Sequence, residues 1–165
     1  MTRIIETEGL SKWFGEVVAL NDLSVGIGPG VTGLLGPNGA GKSTFIKLTL
    51  GLYRPSRGIV RVLGEPPRNN LRVLGRIGYC PELDRFYENM TGFEFVRTLC
   101  RYSGLDRKAA RKAAAEACEE THITERMHDP IGEYSKGMRQ RIKIAQSIAM
   151  RPELLLLDEP LAGLD

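Results

Sequence analysis

The segment GPNGAGKST, residues 36–44, constrains the fold of this chain more than any other feature. It fits the pattern GxxxxGK[ST] and lies between a short apolar run, residues 31–35, and a stretch with apolar residues at helical spacing, residues 43–52. Glycines in such a loop let backbone N–H groups turn onto phosphate oxygens, and the start of the next helix adds partial positive charge. The segment therefore predicts a strand, a phosphate-binding loop and a helix. A glycine-rich turn that merely joins the strand to the helix is the competing interpretation.

A phosphate loop of this kind predicts a nucleoside triphosphate as ligand, without distinguishing a kinase, a GTPase or a transporter motor. We expect Lys42 to reach the β- and γ-phosphates and the Ser43 hydroxyl to ligate Mg²⁺. The predicted nucleotide-binding residues of the loop are Gly36, Pro37, Asn38, Gly39, Ala40, Gly41, Lys42, Ser43 and Thr44.

Two adjacent carboxylates, Asp158 and Glu159, follow four leucines at residues 154–157. An apolar run without alternation is typical of a parallel strand that is covered on both faces, and ligands bind at the carboxyl ends of such strands. We therefore expect Asp158 to hold the Mg²⁺ shell and Glu159 to act as base toward the water that attacks the γ-phosphate. The alternative is that charge and proline simply end the strand.

Patterns elsewhere in the chain predict a mixed α/β fold. The β-rich region from Arg3 to about Ile27 precedes the phosphate loop, and residues 58–64 and 76–80 are further strand candidates. Together with the predicted helices, this order implies a mostly parallel sheet with helices on both sides.

Three helix starts are predicted by capping residues. Thr91 with Glu94 has capping-box spacing, Asp106 and Ser135 can cap two later helices, and Arg151-Pro152 ends the last of these after Met150. The face of the second helix that is predicted to be buried is formed by Leu105, Ala109, Ala113 and Ala117. The face predicted for the third helix is formed by Met138, Ile142, Ala145 and Ala149.

The composition excludes few classes of function, but it limits how the chain could act at a membrane. The chain has 23 Lys and Arg against 20 Asp and Glu, and a net charge of +3 is too small to indicate nucleic acid by itself. The three separated cysteines, Cys80, Cys100 and Cys118, suit buried thiols in a reducing compartment. Because the sequence has no apolar stretch of about 18 residues, we expect any membrane role to go through a partner.

The stretch YSKGMRQRIKIAQSIAMRPELLLLDEPLAGLD, residues 134–165, resembles the signature helix, Walker B strand and D-loop of ABC ATPases. With the phosphate loop, the resemblance covers nearly the whole chain. It implies a P-loop NTPase fold in which residues 1–165 form a single domain, with an N-terminal antiparallel β subdomain and a helical signature subdomain at about 85–150.

In this family the signature segment binds the nucleotide of a second ATPase subunit in a head-to-tail dimer, and the resemblance places Ser135 and Gly137 there. The segment departs from the commoner LSGGQ at Tyr134, Lys136 and Met138, in a form that resembles nucleotide-binding subunits of multidrug-type or ABC-2-type exporters.

Two further site residues follow from the resemblance. Phe14 falls where the family usually has an aromatic that stacks on adenine, and Trp13 is the competing candidate. Glu82 stands where glutamine is usual, and an ionised glutamate can only accept hydrogen bonds, so it would repel phosphates while still meeting Mg²⁺ or water.

The resemblance implies an ATP-hydrolysing subunit that uses ATP and Mg²⁺ and drives a separate transmembrane permease, with a preference for export. It would lie in the cytoplasm on the inner face of the cell membrane, and no nucleic acid partner is expected. The alternatives are a soluble ABC ATPase of translation or DNA maintenance, and a nucleotide-binding regulator that does not hydrolyse.

The family's switch histidine follows the D-loop, whereas His122 and His128 both precede Walker B and are expected on the surface. Residues 1–165 are therefore expected to be an N-terminal fragment that lacks the C-terminal part of the domain, sufficient to bind phosphate and poor at turnover.

Overall fold

The computed structural model describes residues 3–83 and 85–160, which divide after Leu74 into two units. The D-loop, residues 161–165, lies outside the described residues. In the first unit, β1 (Ile5–Phe14), β2 (Val17–Ile27) and β3 (Arg57–Val62) form an antiparallel sheet in the order β2-β1-β3. The β-rich region predicted before the phosphate loop is thereby confirmed.

The core of the first unit lies between this sheet and α1 (Lys42–Thr49). Its members are buried aliphatic and aromatic side chains, namely Ile5, Leu10, Phe45, Ile46, Leu48, Val60 and Val62. A short helix, α2 (Leu71–Leu74), is the last element of the unit in the chain, and its Val73 is buried. The helix predicted after the phosphate loop is confirmed.

The strand predicted at residues 31–35 is not formed, and this prediction is wrong. The segment is exposed throughout and has no regular secondary structure. A strand requires a neighbouring strand for its hydrogen bonds, and none of the strands in the described part of the chain pairs with this segment. Apolar character alone could not supply that partner.

The second unit contains a parallel pair, β4 (Ile77–Cys80) and β5 (Leu154–Leu157), with Ile77 opposite Leu154 and Cys80 opposite Leu157. The guanidinium of Arg76 donates hydrogen bonds of 2.6 and 2.7 Å to the two carboxylate oxygens of Glu153, which joins the starts of both strands. These bonds lower the pKa of Glu153.

Three helices complete the second unit: α3 (Gly92–Tyr102), α4 (Arg107–Glu120) and α5 (Lys136–Ile148). All three predicted caps are confirmed. Thr91 and Glu94 form a capping box, the Asp106 carboxylate accepts a hydrogen bond from the Ala109 N–H, and the Ser135 hydroxyl accepts one from the Met138 N–H.

The buried face of α4 is shifted by one residue from the predicted one over most of the helix, whereas Ala117 is buried as predicted. Ala110, Ala114, Ala117 and Cys118 are buried, whereas Ala109 and Ala113 lie at the edge of the contact. Because six of the 14 residues of this helix are alanine, at adjacent positions, their spacing could not distinguish between adjacent faces. The face predicted for α5 is confirmed at Ile142, Ala145 and Ala149. These residues are buried in the core of the second unit, together with the buried face of α4.

The described cysteines and histidines lie where the sequence predicted. Cys80, Cys100 and Cys118 are buried free thiols, and burial raises the pKa of Cys118 to about 11. His122 and His128 are both exposed.

β5 is not covered on both faces as predicted. Leu156 is buried, but Leu155 and Leu157, on the opposite face, are each 38% exposed. Leu155 and Leu157 pair with Gly78 and Cys80, the two residues of β4 that face α5, so α5 covers β4 but leaves this face of β5 partly exposed. None of the helices in residues 3–83 and 85–160 is long and apolar enough to cross a membrane.

Gly78 lets α5 approach β4 closely, and we expect Gly78→Ala to lower the free energy of unfolding by about 3 kcal/mol. A Cβ on Gly78 would lie 2.1 Å from the backbone carbonyl oxygen of Ser147, so the helix would have to move. Urea unfolding of both proteins measures the effect. Gly33→Ala is the matched control because a Cβ there meets open space. Equal midpoints for the two variants would contradict the prediction.

Candidate functional site

Gly41 is the last residue of the phosphate loop before α1 begins. Gly41 is the N-cap of α1 with φ of 88°, and a Cβ on it would lie 2.4 Å from the carbonyl oxygen of Ala19. Only glycine fits this conformation and this contact without displacing β2. The first turn of α1 contains no carboxylate in the described helix, so the positive end of the helix dipole is not offset there.

Lys42 is held against the loop that it follows. Its Nζ donates hydrogen bonds of 2.8 Å to the Gly36 carbonyl oxygen and 3.2 Å to the Pro37 carbonyl oxygen. The side chain therefore turns back toward the start of the loop instead of extending along the helix. This arrangement concentrates positive charge on a segment whose backbone can turn N–H groups toward an anion.

Phe14 belongs to a cluster of two aromatic rings and a cation in the first unit. Its ring meets that of Tyr53 edge to face, with centroids 5.1 Å apart, and the Lys12 Nζ lies 4.9 Å from the Phe14 centroid. Phe14 remains 43% exposed, so part of the ring is available to a planar ligand. Sequence reasoning missed Tyr53, because 38 residues separate it from Phe14 and no local pattern connects the two.

In the second unit the predicted carboxylates follow the carboxyl ends of adjacent parallel strands. The ladder extends one residue past β5, where the Asp158 N–H donates a 3.0 Å hydrogen bond to the Cys80 carbonyl oxygen. Asp158 is 4% exposed, whereas Glu159 has φ of 51° and is exposed. Glu82, two residues past β4, lies at the same edge of the sheet, which is where parallel sheets place ligand-binding residues.

The start of α5 presents the signature residues. Ser135 is exposed, and its oxygen accepts a 3.3 Å hydrogen bond from the Met138 N–H; Gly137, the second residue of the helix, is half-buried. Tyr134 anchors this end of the helix, since its buried phenol donates a 2.7 Å hydrogen bond to the Arg126 carbonyl oxygen. Burial raises the pKa of Tyr134.

Sequence reasoning also missed a buried polar stripe on α5 that faces β4. The side chains of Gln140 and Gln146 donate to the Cys80 sulfur and the Tyr79 carbonyl oxygen, and the Lys143 Nζ donates to the Pro81 and Glu82 carbonyl oxygens at 3.3 and 3.1 Å. These residues recur every three positions, a spacing that is visible in the sequence but that usually indicates an exposed face.

A second missed contact links the loop before α3 to α5. The Arg139 guanidinium donates hydrogen bonds of 2.8 and 2.6 Å to the two carboxylate oxygens of Glu88, and these bonds lower the pKa of Glu88. Glu88 also accepts a 2.9 Å hydrogen bond at its carbonyl oxygen from the Gly132 N–H. The segment that carries Glu82 is therefore bonded to α5 at two points, by Lys143 at Pro81 and Glu82 and by Arg139 at Glu88.

We expect Lys143→Met to lower the free energy of unfolding by about 2 kcal/mol and to loosen the segment at residues 81–90. The substitution keeps the buried stem but leaves two backbone carbonyl oxygens without their donor. Hydrogen exchange of this segment and urea unfolding measure the effect. Lys112→Met, on the exposed side of α4, is the control. Unchanged exchange in Lys143→Met would show that the lysine does not position the segment.

The candidate residues thus fall into two sets. The first unit holds Phe14 and the phosphate loop, residues 36–44, which opens α1. The second unit holds Glu82 and the two carboxylates at one sheet edge, with Ser135 and Gly137 at the start of α5.

Comparison with known proteins gives consistent matches. A family profile described as "ABC transporter" matches residues 20–162. The bacitracin transport ATP-binding protein BcrA of Enterococcus faecalis is 38% identical over 167 residues, which cover 100% of this chain and 53% of that protein. The Nod factor export ATP-binding protein I of Burkholderia orbicola (strain AU 1054) is 36% identical over 163 residues, covering 98% of this chain and 54% of that protein.

Among solved structures, one described as the ATP binding subunit of an ABC transporter superposes with a TM-score of 0.80 at 29% identity. That alignment covers 98% of this chain and 68% of the solved chain. The chain spans about half the length of the curated relatives that it matches.

Proposed function

The chain belongs to the ABC transporter family, and from this premise we propose that it binds MgATP and that the whole protein hydrolyses ATP to drive transport by a separate membrane subunit. The observation that carries the proposal is the phosphate loop. Gly41 is required by its contact with β2, α1 begins at the next residue, and the Lys42 amine is held over the loop. This arrangement suits the phosphates of a nucleotide.

In the proposed site Lys42 exchanges its contacts with the loop carbonyls for contacts with the β- and γ-phosphates. The amine has three donors, so it can keep a bond to Gly36 while it binds phosphate. Charge-assisted bonds to phosphate are stronger than the neutral-acceptor bonds that they replace. The bonds to phosphate are therefore expected to stabilise the complex more than the lost bonds to the loop carbonyls stabilise the free protein.

We propose Ser43 and Asp158 as ligands of Mg²⁺ on the chemistry of their side chains. Ser43 offers a hydroxyl and Asp158 a carboxylate, the hard ligands that Mg²⁺ prefers. Within the described residues no group of three His, Cys, Asp or Glu side chains could hold a metal ion. Mg²⁺ bound with a nucleotide usually takes several of its ligands from phosphate and water, so two side chains are enough. When bound, it would neutralise charge on the β- and γ-phosphates.

We assign Glu159 as the base toward the attacking water. Its position after the last residue of the ladder, in a left-handed backbone conformation, separates its exposed side chain from the buried carboxylate of Asp158. Two adjacent carboxylates can then have different roles. A positioned base contributes about 10²–10⁴-fold to a rate.

Phe14 and Glu82 complete the proposed nucleotide contacts. Phe14, supported by Tyr53, would stack on adenine, and aromatic stacking of this kind contributes about 1–3 kcal/mol for each base. Glu82 would accept a hydrogen bond from water or meet Mg²⁺, since an ionised carboxylate has no donor for a phosphate oxygen.

The proposal includes a head-to-tail dimer with a second ATPase subunit. Ser135 uses its oxygen to accept the Met138 N–H, so its hydroxyl proton remains able to bind a γ-phosphate of the other subunit. Gly137 allows a close backbone approach at the same helix end.

The names of the relatives favour export as the direction of transport. Two of them are named for bacitracin transport and for Nod factor export, and the sequence YSKGM at residues 134–138 resembles exporter subunits. We therefore propose that a transmembrane permease holds the protein on the cytoplasmic face of the cell membrane.

Isothermal titration with ATP, with and without Mg²⁺, tests the nucleotide proposal, and phosphate release is assayed in the same samples. We expect Mg²⁺-dependent binding of one nucleotide per chain. Failure of the folded chain to bind ATP at all would contradict the proposal. Recovery of a membrane protein when the whole protein is purified from membranes tests the partner separately.

A further inference from the structure

A basic cleft lies between α3 and α4, within the second unit and apart from every residue assigned above. It has a volume of about 770 Å³, and its lining is formed by Arg97, Thr98, Arg101, Tyr102, Arg107, Lys108 and Arg111. Five of these seven residues are cations. From residue 97 to residue 112 the chain carries six cations and a single carboxylate, although its total charge is only +3.

Nothing in the described chain neutralises this charge. Within residues 3–83 and 85–160 none of the five cleft cations forms an ion pair, and the nearby Asp106 carboxylate is engaged as the cap of α4. By contrast, Arg151 binds Glu116 and Glu120 at the other end of α4. The acidic end of the helix is therefore satisfied by protein groups, whereas the basic end is left facing the cleft.

Two of the cations also lie where positive charge destabilises the helix that carries them. Arg107 and Lys108 lie in the first turn of α4, where the helix dipole disfavours positive charge, and the described helix has no carboxylate in that turn and no cation in the last turn. Charges that oppose local stability are expected where they serve a function. An anionic ligand would relieve both the dipole conflict and the mutual repulsion.

The chemistry of the lining suits a phosphate group. Three of the lining cations come from α4 and two from α3. An arginine guanidinium can donate to two oxygens of one phosphate group at the same time. Arg101 is fixed by a 2.6 Å hydrogen bond to the Leu105 carbonyl oxygen, and Thr98 and Tyr102 add hydroxyl groups. Tyr102 is 84% exposed and adds apolar surface at the rim.

We propose that the cleft between α3 and α4 binds a phosphate-bearing anion through Arg97, Arg101, Lys108 and Arg111. Two sources share this chemistry, a phospholipid headgroup and a soluble polyphosphate compound, and the two arms of the test distinguish them. The cleft shares no residue with the phosphate loop, and the proposal does not depend on the proposed ATPase function.

The experiment uses Lys42→Ala as the background, so that the phosphate loop does not contribute to binding. In the first arm, pyrophosphate is titrated by calorimetry against this protein and against the same protein with Arg111→Gln. Citrate, an anion of similar charge without phosphate, is titrated in parallel. In the second arm, sedimentation with vesicles compares phosphatidylglycerol in phosphatidylcholine with phosphatidylcholine alone.

Arg111→Gln is expected to weaken binding about fivefold, and Lys108→Gln with Arg111→Gln more than about tenfold. The matched control is Lys112→Gln, the adjacent cation that does not line the cleft, with an expected change of less than about twofold. Because removing cations from the start of α4 relieves the dipole conflict, these variants are expected to stay folded, which melting curves verify.

Pyrophosphate binding that depends on Arg111 identifies a soluble phosphate ligand, and vesicle binding that depends on Arg111 identifies a lipid headgroup. Either result supports the proposal. It is overturned if neither probe binds, if Lys112→Gln lowers binding as much as Arg111→Gln, or if citrate binds as tightly as pyrophosphate.

Discussion

Replacing Lys42 by alanine is expected to weaken MgATP binding by about 100-fold. The amine would make charge-assisted hydrogen bonds to two phosphates, each contributing about 1.5–3 kcal/mol. After allowance for the bonds to Gly36 and Pro37 that the lysine gives up, about 3 kcal/mol remains, and each 1.4 kcal/mol is tenfold in affinity. Isothermal titration of both proteins measures the difference.

Lys47→Ala is the matched control for Lys42→Ala. Lys47 lies in the last turn of the same helix, with its Nζ 5.9 Å from the centroid of the Tyr53 ring, so its loss removes the same charge from the opposite end of α1. We expect its effect on MgATP affinity to stay within about threefold. If both variants lose affinity equally, general attraction to a basic helix, and not a specific phosphate contact, accounts for binding.

Glu159→Gln is expected to lower the rate of ATP hydrolysis by about 10²–10⁴-fold while MgATP affinity changes little. The amide is almost isosteric with the carboxylate but cannot accept the proton of the attacking water. The rate is measured as phosphate release by the whole transporter complex, and affinity is measured by titration of the same preparation. A loss of rate without a loss of binding separates the base from the ligands of the phosphates.

Glu119→Gln serves as the control for Glu159→Gln, because Glu119 is an exposed carboxylate on α4, away from the strand ends. It is expected to hydrolyse ATP at the wild-type rate. Equal rates for Glu159→Gln and the wild type would instead favour a nucleotide-binding regulator whose response does not depend on hydrolysis.

Features that depend on residues close together in the chain were predictable from the sequence. The three helix caps, the start of α1 after the phosphate loop and the burial of Ile142 and Ala145 on α5 all agree with the structure. Each follows from spacings of a few residues, which steric and hydrogen-bonding rules convert directly into local structure.

Features that depend on a neighbouring element were predicted less well. Residues 31–35 have the composition of a strand, but without a pairing strand in the described chain they have no ladder to join. The exposed face of β5 has the same cause, since four leucines indicate burial but do not specify what covers them. On α4, alanines at adjacent positions made the buried face ambiguous by one residue.

The sequence by itself determined the local features of this protein: a glycine-rich loop at a helix start, two carboxylates at a strand end and a segment that resembles the signature of the family. Only the tertiary structure revealed the contact of Phe14 with Tyr53, the buried Lys143 that holds the segment of Glu82, and the cleft that gathers cations from α3 and α4. The physical reason is the range of the interactions. Caps and loops are set by covalent neighbours, whereas these contacts join residues that come together only when separate elements pack.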